Sequence, residues 1–299
     1  MHMPDVRLHE PASLKNACDL LRQFSDRARV LAGGTDILVD LRQNSVTGVD
    51  QLVSLRRIPG LNDIEETEDG FRIGAMVTPT AAARNERIRE LCPALVAAIA
   101  SMAGWQIRSL ATMAGNIARA VPCSDLAPVF VAAGAEVLLN AGTSERRLLV
   151  RDCFVGPRVT VFRREEILTH ILLPFPRPAS GLSYRKFGLR GANAICVAGV
   201  AAAVRLKAGG AIEEGRIVLG AVAPIPYVSK KASAYLAGKT PGDAVFDEAG
   251  RLAAQDSLPI CDIRGSDQYR RDLVRPLTVD ALVEALGRAR AGRARKGGK

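Results

Sequence analysis

The sequence predicts an α+β protein with two parts: a mixed α/β domain over residues 1–176, and a smaller domain of antiparallel sheet plus helices over 177–288. Three observations carry this. Glycines stand between strand-like and helix-like segments in the first part. Pro174-Phe-Pro-Arg-Pro178 puts three prolines in five residues, a linker signal. Beyond it, apolar strands run in succession before helical periodicity returns.

Ser13 to Arg22 has apolar residues at helical spacing behind an N-cap serine. Ala28 to Ala32 reads as a short buried strand. It runs into Gly33-Gly34-Thr35, and Asp36 to Arg42 reads as a helix. Gln51 to Leu55 and Gly70 to Ala75 are strands, with an acidic turn from Asp63 to Asp69. Thr80 to Arg89 and Pro93 to Met102 are helices. A second glycine-bearing loop follows, from Thr112 to Asp125. Ala127 to Ala133 is a short apolar helix or strand. Glu136 to Leu139, Arg146 to Val150 and Glu166 to Leu173 are strands. These boundaries divide the first domain near residue 55.

In the second part, Leu182 to Phe187, Ala194 to Leu206 and Arg216 to Val222 form a three-stranded antiparallel sheet. Tyr227 to Ala237, Phe246 to Ala254 and Gln268 to Ala289 form helices. Residues 289–299 are a basic, disordered tail.

Composition narrows the function classes. The chain has 299 residues, 48% of them hydrophobic, which suits a globular protein. Much of its net charge of +10 lies in the basic tail, and aromatics are only 4%. Stacking platforms for single-stranded nucleic acid are therefore scarce. Six scattered cysteines lack any CxxC, which argues against zinc or an iron–sulfur cluster held by this chain. The N-terminus has no charged segment followed by an apolar one, and the longest apolar run, Ala194 to Val204, is too short for a bilayer. A cytoplasmic protein without membrane insertion is expected.

Gly33, Gly34 and Thr35 are suited to a pyrophosphate or to an ordinary strand-to-helix turn. They form neither GxGxxG nor a Walker loop. Asn116, Ser124 and Asp125 are suited to a ribityl or ribose chain, or to capping helices that begin near Ile117 and Leu126. His170, in an apolar strand, reads as a satisfied or edge histidine. Cys123, inside the second loop, reads as a packing residue.

The two stretches together resemble the FAD-binding (medium) subunit of the molybdenum hydroxylase family, which includes xanthine and carbon monoxide dehydrogenases. Ala32-Gly-Gly-Thr-Asp-Ile37 is similar to the family's first FAD loop. Thr112-Met-Ala-Gly-Asn-Ile-Ala-Arg-Ala-Val-Pro-Cys-Ser-Asp125 is similar to its second, Thr-x-Gly-Gly-Asn-x-x-x-Ala-x-Pro-x-x-Asp. Gly220-Ala-Val-Ala-Pro-Ile-Pro226 and Asp262-Ile-Arg-Gly-Ser-Asp-Gln-Tyr-Arg-Arg271 match two further motifs. Ala114 stands where the pattern has glycine, and Arg119 sits at a variable position. The extra cysteine-rich insertion of one branch is absent.

The resemblance implies a two-subdomain FAD-binding domain of the PCMH (vanillyl-alcohol-oxidase) type. It places the FAD diphosphate on amides around Gly33, Gly34, Thr35, Asp36 and Ile37, with Leu31 and Ala32 also against the cofactor. It puts Thr112, Gly115, Asn116, Ala118, Arg119, Ser124 and Asp125 along the rest of the cofactor. Ala103 falls at a flavin-contact position, Leu168 at one that packs on the cofactor, and Lys186 at that of a lysine near the isoalloxazine. A cation there favours an anionic reduced flavin.

No catalytic side chain and no metal ligand are implied in this chain. The implied partners are a large molybdenum-cofactor subunit and a small subunit with two [2Fe–2S] clusters, as a dimer of heterotrimers. Electrons would pass through FAD to an external acceptor. A stand-alone FAD reductase or oxidase and a FAD-free scaffold are the alternatives.

Overall fold

The computed structural model describes residues 4–294, and three sheets organise them. The first is parallel, built from β1 (Arg7–His9), β2 (Ala28–Leu31) and β3 (Gln51–Ser54) in the order β1-β3-β2. Between these strands run α1 (Leu14–Phe24) and α2 (Ile37–Arg42). Ser13 Oγ accepts the Asn16 N–H at the start of α1, satisfying one of the orphan donors there.

The second sheet is antiparallel. It comprises β4 (Ile64–Glu66), β5 (Gly70–Gly74), β6 (Glu136–Asn140), β7 (Glu145–Leu149) and, after the short ribbon β8 (Phe154–Gly156) and β9 (Val159–Thr160), β10 (Ile167–Pro174). The order is β4-β5-β10-β6-β7. Between β5 and β6 lie six helices: α3 (Pro79–Arg84), α4 (Glu86–Leu91), α5 (Pro93–Ser101), α6 (Trp105–Leu110), α7 (Met113–Arg119) and α8 (Leu126–Ala133).

The third sheet is also antiparallel: β11 (Ser180–Phe187), β12 (Ala198–Leu206), β13 (Ile212–Gly220) and β14 (Tyr227–Val228). It is backed by α9 (Lys230–Leu236), α10 (Asp243–Asp256) and α11 (Asp267–Ala294). Small residues let α11 lie close on this sheet: a Cβ on Gly181 would stand 2.0 Å from the Ala285 carbonyl oxygen. One apolar core joins the first two sheets and their helices and takes in Tyr184, Ala201 and Val218 of the third. A separate core lies between the third sheet and its helices. Among the described residues no helix is long and apolar enough to cross a membrane.

The α+β class is as the sequence predicts; several local expectations are corrected. The acidic turn from Asp63 to Asp69 contains a strand, β4, because Ile64 to Glu66 pair with Phe71 to Ile73. The helix expected from Thr80 to Arg89 is two helices. Asn85 leaves helical geometry, and its side chain caps the second through the Ile88 N–H. Tyr227 and Val228 pair with β13 before α9 begins, so the third sheet has four strands. His170 lies on β10, the middle strand of its sheet, so it is not an edge residue, and its Nδ1 is buried without a partner. The helix at the C-terminus reaches Ala294, so residues 289–294 of the expected disordered tail are helical. The remainder of that tail lies outside the described residues.

Candidate functional site

The two glycine-bearing stretches meet in space. Gly33 packs so tightly on the junction of α6 and α7 that a Cβ there would stand 2.1 Å from the Leu110 carbonyl oxygen. Gly34 has φ +74°, the left-handed conformation that glycine adopts without strain. This turn is therefore set by a close backbone approach and by a positive φ, one glycine for each. Leu31, Ala32, Gly33, Gly34, Thr35 and Ile37 are all partly exposed, so their backbone remains reachable.

The second stretch is mostly a helix rather than a loop. Thr112 is its N-cap: Oγ1 accepts the Gly115 N–H at 3.0 Å. A Cβ on Gly115 would stand 2.8 Å from that same oxygen, which explains the glycine. Asn116 is thus inside α7 and does not cap a helix starting near Ile117. Ala114 is 3% exposed and packs into the core, where the family pattern carries glycine. Ala118 is exposed. Ala120 ends α7 in the left-handed conformation, with φ 50°.

Ser124 bridges two helices. Its Oγ donates to Asn116 Oδ1 at 2.5 Å and accepts the Ala127 N–H at 3.0 Å. Asp125, the residue before α8, makes no capping bond. Its carboxylate turns instead to the third sheet. Oδ1 accepts from Tyr184 Oη at 2.8 Å, and Oδ2 accepts from Lys186 Nζ at 2.9 Å. Lys186 Nζ also donates to the carbonyls of Ser101 and Ala194, each at 2.9 Å. Tyr184 and Lys186 stand two apart on β11 and so share a face. Burial pushes the Asp125 carboxyl above the usual carboxylate range, although the adjacent ammonium opposes this. Burial pushes the Tyr184 phenol well above its ordinary value.

Arg119 ties the two stretches together. Its guanidinium stands 2.6 Å from buried Asp40 and 3.3 Å from Asp36, both belonging to the first stretch and its helix. Ser45 Oγ supports the other Asp40 oxygen at 3.0 Å.

Ala103 follows α5 in a left-handed conformation, φ 39°, and Arg108 Nη1 holds the carbonyls of Met102 and Ala103 at 2.6 and 2.7 Å. Leu168 is buried on β10, beside the irregularity at which the pairing with β6 shifts register. Cys123 is partly buried, and burial followed by the Asp125 charge pushes its thiol up, away from reactivity.

The glycine turn, α7, Ser124–Asp125, Ala103 and Lys186 are linked by these contacts into one region where the three sheets' units converge. Partly exposed backbone at small residues, neutral donors on Thr35 and Asn116, and carboxylates already paired with cations suit a polar, phosphorylated cofactor. A cleft of about 770 Å³ lies elsewhere, against the Pro174–Pro178 linker, and includes none of these residues. The sequence reading missed Tyr184, Asp40 and Arg108. No local signal marks them, because their partners lie in other elements.

The chain is similar to several known proteins. Residues 4–176 match the family described as the FAD binding domain in molybdopterin dehydrogenase, and 183–285 match the CO dehydrogenase flavoprotein C-terminal domain. The chain is 32% identical to the nicotine 6-hydroxylase medium subunit of Paenarthrobacter nicotinovorans, covering 95% of this chain and 99% of that one. It is 30% identical to the glyceraldehyde dehydrogenase medium chain of Sulfolobus acidocaldarius, with the same coverage of 95% and 99%. Among solved structures, it is similar to carbon monoxide dehydrogenase from Hydrogenophaga pseudoflava. The TM-score is 0.92 at 28% identity, over 96% of this chain and 99% of that one. It is also similar to quinoline 2-oxidoreductase from Pseudomonas putida 86, with TM-score 0.89 at 25% identity, over 98% and 100% of the two chains.

Proposed function

Since the chain belongs to the family of FAD-binding medium subunits of molybdenum hydroxylases, we propose that it is the electron-transfer subunit of a cytoplasmic complex of that kind. Its partners in this reading are a large molybdenum-cofactor chain and a small chain with two [2Fe–2S] clusters, assembled as a dimer of heterotrimers. Bound FAD supplies the redox chemistry, linking electrons from the iron–sulfur chain to an external acceptor.

The residues of this chain hold and frame the cofactor. Leu31 to Ile37 present backbone N–H groups to the diphosphate, with Gly33 and Gly34 keeping the backbone accessible. Thr112, Gly115, Asn116, Ala118 and Ser124 line the remainder. Arg119 fixes the first stretch against the second through Asp36 and Asp40. Asp125 and Lys186 form a buried ion pair that holds the Ser101 and Ala194 carbonyls and frames the flavin end beside Ala103 and Leu168. All three ammonium donors are engaged within the protein, so Lys186 acts here as a positioning residue.

The observation that carries the reading is the packing of Gly33 on Leu110, which brings both glycine-bearing stretches to one place. The test is co-purification of the tagged chain from its source. The proposal expects FAD together with a molybdopterin chain and an iron–sulfur chain, and flavin that is reduced when the complex turns over. A flavin-loaded chain without those partners would favour a stand-alone reductase instead.

A further inference from the structure

We propose that Arg108 is a positioning residue for the flavin, an inference that rests on the function proposed above. By holding the Met102 and Ala103 carbonyls it sets the N–H groups of Ala103 and Gly104 as donors to the ring's acceptor atoms, and so favours the reduced state of bound FAD. Three successive carbonyls before α6 are each bonded to a cation. Lys186 Nζ donates to that of Ser101 at 2.9 Å. Arg108 Nη1 donates to those of Met102 at 2.6 Å and Ala103 at 2.7 Å. Helix capping does not account for all three. Helix α5 ends at Ser101, Met102 is its C-cap, and Ala103 lies outside it.

The turn held in this way is not one the chain adopts freely. Ala103 has φ 39°, a left-handed conformation that costs an L-residue energy. Arg108 reaches it from within α6, where its own N–H bonds the Gly104 carbonyl at 3.1 Å. The Met102 N–H is spent on the Ala98 and Ile99 carbonyls of α5. The N–H groups of Ala103 and Gly104 have no acceptor among the described residues, and both residues are partly exposed. Donors fixed in place without a partner from the chain are available to a ligand.

The two peptides that Arg108 bonds are the two whose donors are free. The peptide with the Met102 oxygen carries the Ala103 N–H, and the peptide with the Ala103 oxygen carries the Gly104 N–H. A cation on a peptide oxygen polarises that peptide and strengthens its N–H as a donor. Lys186 is neutralised by Asp125, whereas no carboxylate stands within ion-pair distance of Arg108 among the described residues. Reduction adds negative charge to the flavin, and strong donors at its acceptor atoms favour the more negative form.

The test uses the full chain loaded with FAD. It compares Arg108→Gln, which keeps a neutral donor, with Arg108→Lys, which keeps the charge. Anaerobic reductive titration against a reference dye reads the flavin potential, and titration of the deflavinated chain reads FAD affinity. Arg108→Gln is expected to weaken FAD binding and to shift the balance of reduced to oxidised flavin about tenfold toward oxidised, about 30 mV lower for a two-electron couple. Arg108→Lys is expected to restore most of that potential. Adding Ala103→Gly to Arg108→Gln is expected to recover FAD affinity, since glycine takes a positive φ without strain, and to leave the potential low. Equal loss of thermal stability in the Gln and Lys variants, with both potentials unchanged, would overturn the proposal and leave Arg108 a structural tie. No FAD uptake by the wild-type chain would overturn the cofactor reading together with this inference. Normal uptake with an unshifted potential in Arg108→Gln would overturn this inference alone.

Discussion

Lys186 Nζ lies 2.9 Å from Asp125 Oδ2, joining a strand of the C-terminal sheet to the residue that opens α8, with both side chains almost fully buried. Removing one member leaves the other charge buried and unpaired. Asp125→Ala is therefore expected to destabilise the chain by about 3–5 kcal/mol. Tyr184→Phe removes one bond to the same carboxylate and is expected to lose about 1.5–3 kcal/mol. Urea unfolding with both variants measures these values, and a double-mutant cycle gives the coupling between Tyr184 and Asp125.

Gly33 and Gly34 differ in kind, and so should their alanine variants. Gly33→Ala drives a methyl into the Leu110 carbonyl and separates the two stretches. A loss of about 1–3 kcal/mol is expected, together with most of the FAD affinity. Gly34→Ala meets strain from its positive φ, about 1–2 kcal/mol, but less displacement. Flavin retained after gel filtration should fall further for Gly33→Ala.

Ala114 departs from the family pattern without opening a gap. Its methyl is buried on α7. Ala114→Gly is expected to lower stability by about 0.5–1 kcal/mol and to leave FAD affinity unimproved. Tighter FAD binding by that variant would show that the methyl intrudes on the cofactor.

His170 makes stability depend on pH. Burial, and then the Arg72 charge, hold its pKa below the ordinary histidine value. The unfolded chain takes up a proton below about pH 6.5 while the folded chain resists it. Stability is thus fully present above that pH and declines as pH falls from there through the lowered folded pKa. Denaturant midpoints between pH 5 and 8 should show this slope, and His170→Gln should reduce it.

Much of the fold was legible because its signals are local. Ser13 and Gly33-Gly34 act on their own neighbourhoods, and they placed α1 and the first turn. The second stretch read as a loop because its small residues mask a helix whose cap, Thr112, lies three residues before Gly115. Strand β4 escaped because its three residues include two glutamates and gain their order from β5. The ties that assemble the site, Asp125 with Lys186 and Arg119 with Asp40, span 61 and 79 residues. No periodicity encodes pairs at that distance. Motif likeness found Lys186 and Asp125 separately, and only the fold shows that they bind each other.

The most direct test is equilibrium binding of FAD to the purified, deflavinated chain, followed by flavin absorbance and by thermal unfolding. One FAD per chain is expected, with the unfolding temperature rising as FAD is added, as linkage requires of a ligand that binds only the folded state. Riboflavin, which lacks the diphosphate, should bind far more weakly, and Gly33→Ala should remove most of this difference. A chain that takes up no FAD, or that binds riboflavin equally well, would contradict the assignment of the Leu31–Ile37 turn to the diphosphate.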